Sequence, residues 1–194
     1  MIPTLGLWFL LAAYATMVSF FIVQRLLRRT EGARSLRGGA FDRGNMLLVG
    51  SATGVGLLLP IVAYVLGIVT FAIGLVEGLV ALAVMASGFV LRVWAAVSLG
   101  KYYTTTLMIT DGQRVVASGP YARIRHPGYL AEMLMWAGFG VLSSNLILAF
   151  LLPVMFVGVY LYRISVEEEM LVKALGDDYV QYQRRTRKLI PSVY

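Results

Sequence analysis

Two short runs and three isolated charges hold the residue types from which chemistry could be built. The first run is Gly119-Pro120-Tyr121-Ala122-Arg123-Ile124-Arg125-His126-Pro127-Gly128-Tyr129. Pro127 and Gly128 suit the first turn of a helix. A helix starting there aims unpaired N–H groups at an anion, such as a carboxylate or phosphate. Arg123, Arg125 and His126 stand beside it. The plainer reading is a basic interface loop whose aromatic residues anchor at headgroup level. The second run is Glu167-Glu168-Glu169, which could hold a cation or an amine, or start a tail helix at its positive end. Arg92, Glu132 and Arg163 are lone charges near the ends of apolar stretches. Such residues within a membrane are functional by default and usually paired. Snorkelling to the interface accounts well for Arg163, less well for Arg92 and not at all for Glu132.

Other chemistries are excluded. The chain has no cysteine and one histidine, which removes a cysteine nucleophile, disulfides, thiolate metal sites and His-rich metal sites. No metal is expected. Gly54-Val55-Gly56 follows no strand, so it is not a dinucleotide fingerprint and serves helix–helix approach instead. The nine methionines read as packing.

The elements that must position these residues follow from composition and charge. Of 194 residues, 59% are hydrophobic and 14% charged, against about a quarter charged in a soluble domain. The net charge of +7 would suggest nucleic acid in a soluble protein, but its placement points to a membrane. No Lys or Arg lies between Arg43 and Arg92, or between Arg125 and Arg163. Each gap holds two crossings at about 20 residues apiece. The positive-inside rule puts every basic cluster in the cytosol, with the N-terminus outside and the C-terminus cytosolic. The spans expected are 4–27, 45–70 (kinked at Pro60), 78–99, 128–143 and 145–166, with Ser143-Ser144-Asn145 as an outer turn. In the tail, Leu171, Leu175, Tyr179 and Tyr182 recur at helical spacing. Gly176-Asp177 reads as one helix ending and another beginning. The fold class is all-α integral membrane, one domain over 1–194, with about five transmembrane helices and a cytosolic C-terminal helical pair. Cation and anion binders on one face, beside helices open to lipid, suit a zwitterionic cofactor meeting a lipid-like substrate. No nucleic-acid partner is expected.

The motif from Ser118-Gly-Pro-Tyr through Arg125-His-Pro-Gly-Tyr129, followed by Glu167-Glu168, Leu171, Leu175-Gly176 and Tyr179, resembles the isoprenylcysteine carboxyl methyltransferase family. The related phospholipid N-methyltransferases look similar. The resemblance covers residues 99–194. It implies a membrane methyltransferase that uses S-adenosylmethionine without a Rossmann domain. His126, Pro127, Gly128 and Tyr129 would line the cofactor pocket, with Tyr121 and the segment Gln113, Arg114, Val115, Val116 at matching positions. Thr106 falls where the family places a polar cofactor contact, although the residue here departs from the commoner ones. Glu167, with Glu168 beside it, matches the cofactor-binding acid, and Arg163 a substrate-side arginine that takes part in catalysis. The implied partners are membrane lipids and a lipophilic small-molecule or prenylated acceptor, with carboxyl methylation of an isoprenylcysteine-like group as the reaction. The alternatives are a phospholipid or other lipid N- or O-methyltransferase and a non-catalytic membrane protein that keeps the fold. A reductase is another, because some sterol reductases resemble the family in their C-terminal half; the short chain argues against it. The excess of Arg over Lys, with abundant Ala, Gly and Val, suggests a GC-rich prokaryote and its cell membrane.

The expected orientation is testable directly. Single cysteines at Ser35 and Ser192 should both resist a membrane-impermeant thiol reagent in intact cells and label after lysis. Labelling of either before lysis reverses the orientation.

Overall fold

Apolar runs inside lipid must bond every backbone N–H and C=O within their own segment or a closed barrel. The computed structural model describes residues 4–27, 42–68, 71–104, 107, 109 and 112–190. Among them the regular elements are helices: α1 (Thr4–Leu27), α2 (Asn45–Val65), α3 (Leu75–Leu99), α4 (Pro127–Leu142), α5 (Leu146–Leu175) and α6 (Asp177–Arg185). Short 3-10 turns lie at Gly100–Tyr102 and Gly119–Ala122. Helices α1, α2, α3 and α5 are each long and apolar enough to cross a membrane, and the protein is an all-α integral membrane protein.

The remaining helix of the five counted in the sequence is α4. Its 16 residues rise about 24 Å, short of the roughly 30 Å hydrocarbon core. It does not need that length, because no residue of α4 is exposed. It runs antiparallel to α3, with Gly128 beside Arg92 at one end and Gly138 beside Ala81 at the other, and packs on α5 across its other side. Small residues let α3 and α4 approach closely. A Cβ at Gly88 would lie 2.5 Å from the Ala131 carbonyl oxygen, and one at Gly138 2.5 Å from that of Ala81.

The end of the bundle remote from the His126 and Glu167 runs is tied by polar groups. Asn145 caps α5 by accepting from the Leu148 N–H at 3.1 Å, and its amide donates to the Ile68 carbonyl at 2.7 Å. Pro60 leaves α2 without one N–H. One residue beyond the carbonyl this frees, Leu57 O accepts from Tyr14 OH of α1 at 2.5 Å.

Several boundaries differ from expectation. α2 stops at Val65, where Leu66 and Gly67 (φ 69°) turn the chain. α3 starts at Leu75, which brings Glu77 into its first turn, a favourable place for an acid. The largest difference is in α5, which runs nine residues past 166 to Leu175. The first member of the expected tail pair is thus the continuation of a spanning helix. The break at Gly176 (φ 56°) before α6 is where the sequence put it.

The seam between α3 and α4 predicts a contrast between two glycines. Gly138→Ala should lower stability by about 1–3 kcal/mol, because the methyl meets backbone that cannot move aside. Gly158→Ala on α5, where nothing lies within 4 Å, should be neutral or stabilising. Thermal unfolding in detergent checks both.

Candidate active site

The His126 loop is held by the backbone of a segment far along the chain. Arg125 N–H donates to Arg187 O at 2.7 Å, His126 N–H to Lys188 O at 3.0 Å, and Arg187 N–H to Arg123 O at 3.1 Å. Arg125 also donates through Nη1 to the carbonyls of Gln183 and Thr186. Helix α6 is fixed over this junction by Tyr182, whose hydroxyl donates to Tyr121 O at 2.8 Å. Burial pushes the phenols of Tyr121 and Tyr179 well up and that of Tyr182 up to about 12, so all three remain neutral donors.

The three acids lie inside α5, not at the start of a tail helix. Consecutive helical residues point about 100° apart, and each acid finds a different partner. Glu167 accepts from Tyr129 OH at 2.5 Å. Glu168 pairs with Arg125 at 2.6 Å, His126 Nε2 at 3.2 Å and Lys188 at 3.7 Å. Glu169 is bound in a fork by Arg43 at 2.9 and 3.1 Å and by Lys173 at 2.7 Å. One acid therefore faces the bundle, one locks the His126 loop, and one ties the start of α2 to α5.

Arg163 does not snorkel. It is 5% exposed, and its Nε donates to Tyr129 OH at 2.9 Å. Tyr129 thus links Arg163 to Glu167 by one hydroxyl that accepts from the first and donates to the second. Its ring continues a stacked column of His126, Tyr129, Tyr160, Phe156 and Trp136, which passes from the start of α4 to α5 and back to α4. Arg92 and Glu132 pair across the α3–α4 seam at 3.1 Å. Glu132 also accepts from Tyr160 OH, and Arg92 donates to Gln24 of α1 at 3.1 Å. Gln24 accepts again from Tyr103 OH at 2.6 Å. The Arg92 guanidinium fills the space where a Cβ of Gly128 would stand, 2.3 Å from Nη1. The first turn of α4 is therefore packed by a cation, not opened to an anion.

These groups surround one cavity of about 350 Å³, within the usual range for small-molecule sites. Gln113, Arg114, Val115, Val116, Tyr121, His126, Gly128, Tyr129, Arg163 and Glu167 all line it. Pro127 is buried at the first turn of α4 behind it. Glu168 is turned to Arg125 and His126 and does not line it. Thr106 lies outside the described residues. Sequence reasoning passed over Gln24, Tyr103 and Tyr160. Gln24 and Tyr160 are signalled only as polar groups in apolar stretches, and Tyr103, within Lys101-Tyr102-Tyr103-Thr104, carries no such signal. Four arginines (92, 114, 125 and 163) and two glutamates (132 and 167) face the cavity, with seven tyrosines among its walls. Aromatic faces accommodate a compact cation, Glu167 opposes an ammonium, and the surplus of arginine favours carboxylates. This donor set fits S-adenosylmethionine, which carries a sulfonium, an ammonium and a carboxylate.

A family model described as isoprenylcysteine carboxyl methyltransferase matches residues 79–173. The chain is 30% identical over 109 residues to a protein-S-isoprenylcysteine O-methyltransferase of Schizosaccharomyces pombe, covering 49% of this chain and 46% of that one. It is 28% identical over 153 residues to protein-S-isoprenylcysteine O-methyltransferase B of Arabidopsis thaliana, covering 76% and 77%. The chain thus spans about half the length of the yeast relative. A solved structure of the eukaryotic intramembrane Ras methyltransferase ICMT superposes with a TM-score of 0.67 at 20% identity, over 97% of this chain and 68% of that one. At that identity the likeness speaks for the fold.

The ion pair behind the cavity predicts a non-additive pair of mutants. Arg92→Met alone leaves Glu132 buried without its counter-charge and should cost about 3–5 kcal/mol of stability. Adding Glu132→Gln should recover part of that loss. A double mutant less stable than Arg92→Met in thermal unfolding would show that the two charges are not energetically coupled.

Proposed function

We propose that this chain, which belongs to the isoprenylcysteine carboxyl methyltransferase family, transfers a methyl group from S-adenosylmethionine to the carboxylate of an isoprenylcysteine-like acceptor within the membrane. The observation that carries the reading is the juxtaposition of Arg163, Tyr129 and Glu167 in one cavity between lipid-facing helices. Bound there, the cofactor supplies a methyl carried on a sulfonium, which leaves as a neutral thioether. Glu167 holds the ammonium end, and the segment 113–116 with Tyr121 and His126 closes around the remainder. Arg163, aimed by Tyr129, orients the acceptor carboxylate in line with the methyl. The carboxylate oxygen forms the new bond and becomes a neutral ester, so no proton moves and no general base is required. What the protein contributes is positioning and exclusion of water. The Arg163 guanidinium in the cavity wall supports a carboxylate acceptor over the amine headgroup of a phospholipid. The basic clusters support a cytosolic site with the N-terminus outside, and Arg-rich, Ala-, Gly- and Val-rich usage supports a prokaryotic cell membrane.

Two mutants should fail differently. Glu167→Gln should weaken S-adenosylhomocysteine binding by about 1.5–3 kcal/mol, tenfold or more in affinity at about 1.4 kcal/mol per decade. Arg163→Ala should bind it nearly as wild type yet lose methylation of a prenylated thioether acid. Arg163→Lys should rescue only partly, because a point charge replaces a planar fork. Calorimetry and radiolabelled methyl transfer in nanodiscs decide. Unchanged affinity in Glu167→Gln sinks the cofactor assignment, and a wild-type rate in Arg163→Ala at sub-saturating acceptor sinks the acceptor assignment.

A further inference from the structure

We infer that Gly50 of α2 is the sill over which the acceptor's apolar tail leaves the cavity for the lipid, and that its missing side chain admits methyl branches along that tail. The inference deepens the proposed function and rests on it.

The opening is set by how α2 is attached. It is the least enclosed of the spanning helices, with 11% of its apolar window buried, against 33% for α1 and α3 and 39% for α5. Among the described residues α2 shares a packing seam with α5 and none with α1 or α3. Its polar link to α1 is the Tyr14–Leu57 hydrogen bond. On the site side of that link both helices face the same cavity, α1 through Phe21 and Gln24, and α2 through Met46, Val49, Gly50 and Thr53. The α2 positions recur at intervals of three and four and form one helix face.

Deeper in, the way is closed. A Cβ at Gly56 would lie 2.8 Å from the Trp136 ring and 3.1 Å from the Phe156 ring, and these rings stack at 3.8 Å. A tail whose head is held at Arg163 meets this aromatic floor and must turn sideways between α1 and α2. At the turn stands Gly50, which is exposed, lines the cavity and has nothing among the described residues within 4 Å of where its Cβ would be. Glycine inside a helix weakens it relative to alanine, and no described neighbour requires this one. What it provides is space next to the bulkier Met46 and Val49. An isoprenoid chain carries methyl branches and needs more width than an n-alkyl chain of the same length. Gly54, one turn on, is equally open but does not line the cavity, which makes it the matched control.

The test compares Gly50→Leu, Gly54→Leu and wild type in nanodiscs. Both substitutions add the same bulk and raise helix propensity, so neither should impair folding. Methyl transfer is measured to N-acetyl-S-farnesylcysteine and to N-acetyl-S-dodecylcysteine, whose tails have equal main-chain length. Gly50→Leu should lower kcat/KM for the farnesyl acceptor about tenfold or more while changing the dodecyl acceptor by less than about twofold. S-adenosylhomocysteine affinity should be unchanged, and Gly54→Leu should alter neither acceptor. The inference is overturned if Gly50→Leu spares the farnesyl acceptor, if it lowers both acceptors equally, or if Gly54→Leu does the same damage. A wild type that methylates neither acceptor overturns the functional reading, and this inference with it.

Discussion

The enclosure of α4 is the constraint on which the rest of the structure depends. A helix with no exposed residue leaves the polar groups it carries little access to water or lipid headgroups, and an unpaired charge there is expensive. Every such group must be met by another part of the chain. Glu132 is met by Arg92 of α3 and Tyr160 of α5. Tyr129 is met by Arg163 and Glu167 of α5. The His126 N–H is met by the carbonyl of Lys188. Each contact specifies the rotation and depth of α4, and together they place the His126-Pro127-Gly128-Tyr129 turn at the cavity wall. Site and scaffold share the same bonds.

The acid run shows how a helix divides labour without spacing its residues apart. Steps of about 100° send three adjacent carboxylates to three surroundings: a cavity, a buried basic loop and an exposed fork with Arg43. The carboxylate that faces the cavity has the two others as structural neighbours, so charge concentrated in sequence is dispersed in space. The mutual repulsion expected of three acids is offset by Tyr129, Arg125, His126, Lys188, Arg43 and Lys173.

Much of this architecture was legible because charge gaps bound helices so sharply: the absence of Lys and Arg from 44 to 91 and from 126 to 162 marks out two hairpins. The last helix runs past 166 to Leu175, an extension that the acids did not suggest, because acids usually mark an aqueous boundary and here each has a protein partner. Arg92, Glu132 and Arg163 were recognisable as unusual, but their partners were not. Arg92 and Glu132 lie 40 residues apart with no shared pattern, and Gln24 is one polar residue in an apolar helix with no periodic mark. The pairing of residues 123–126 with 187–188 was illegible for a different reason. It is made by backbone groups, which every residue possesses.

That pairing bears on the order of biosynthesis. The loop preceding α4 is made and inserted well before residues 183–188, which supply its carbonyl partners. Until those residues leave the ribosome, α1 to α3 are already made while Arg125 lacks its Gln183 and Thr186 acceptors and the His126 N–H its Lys188 acceptor. Insertion and completion of the cavity wall are separate events in time. The nascent bundle passes through a stage in which its first helices are in place and its ligand-binding surface is still unfinished.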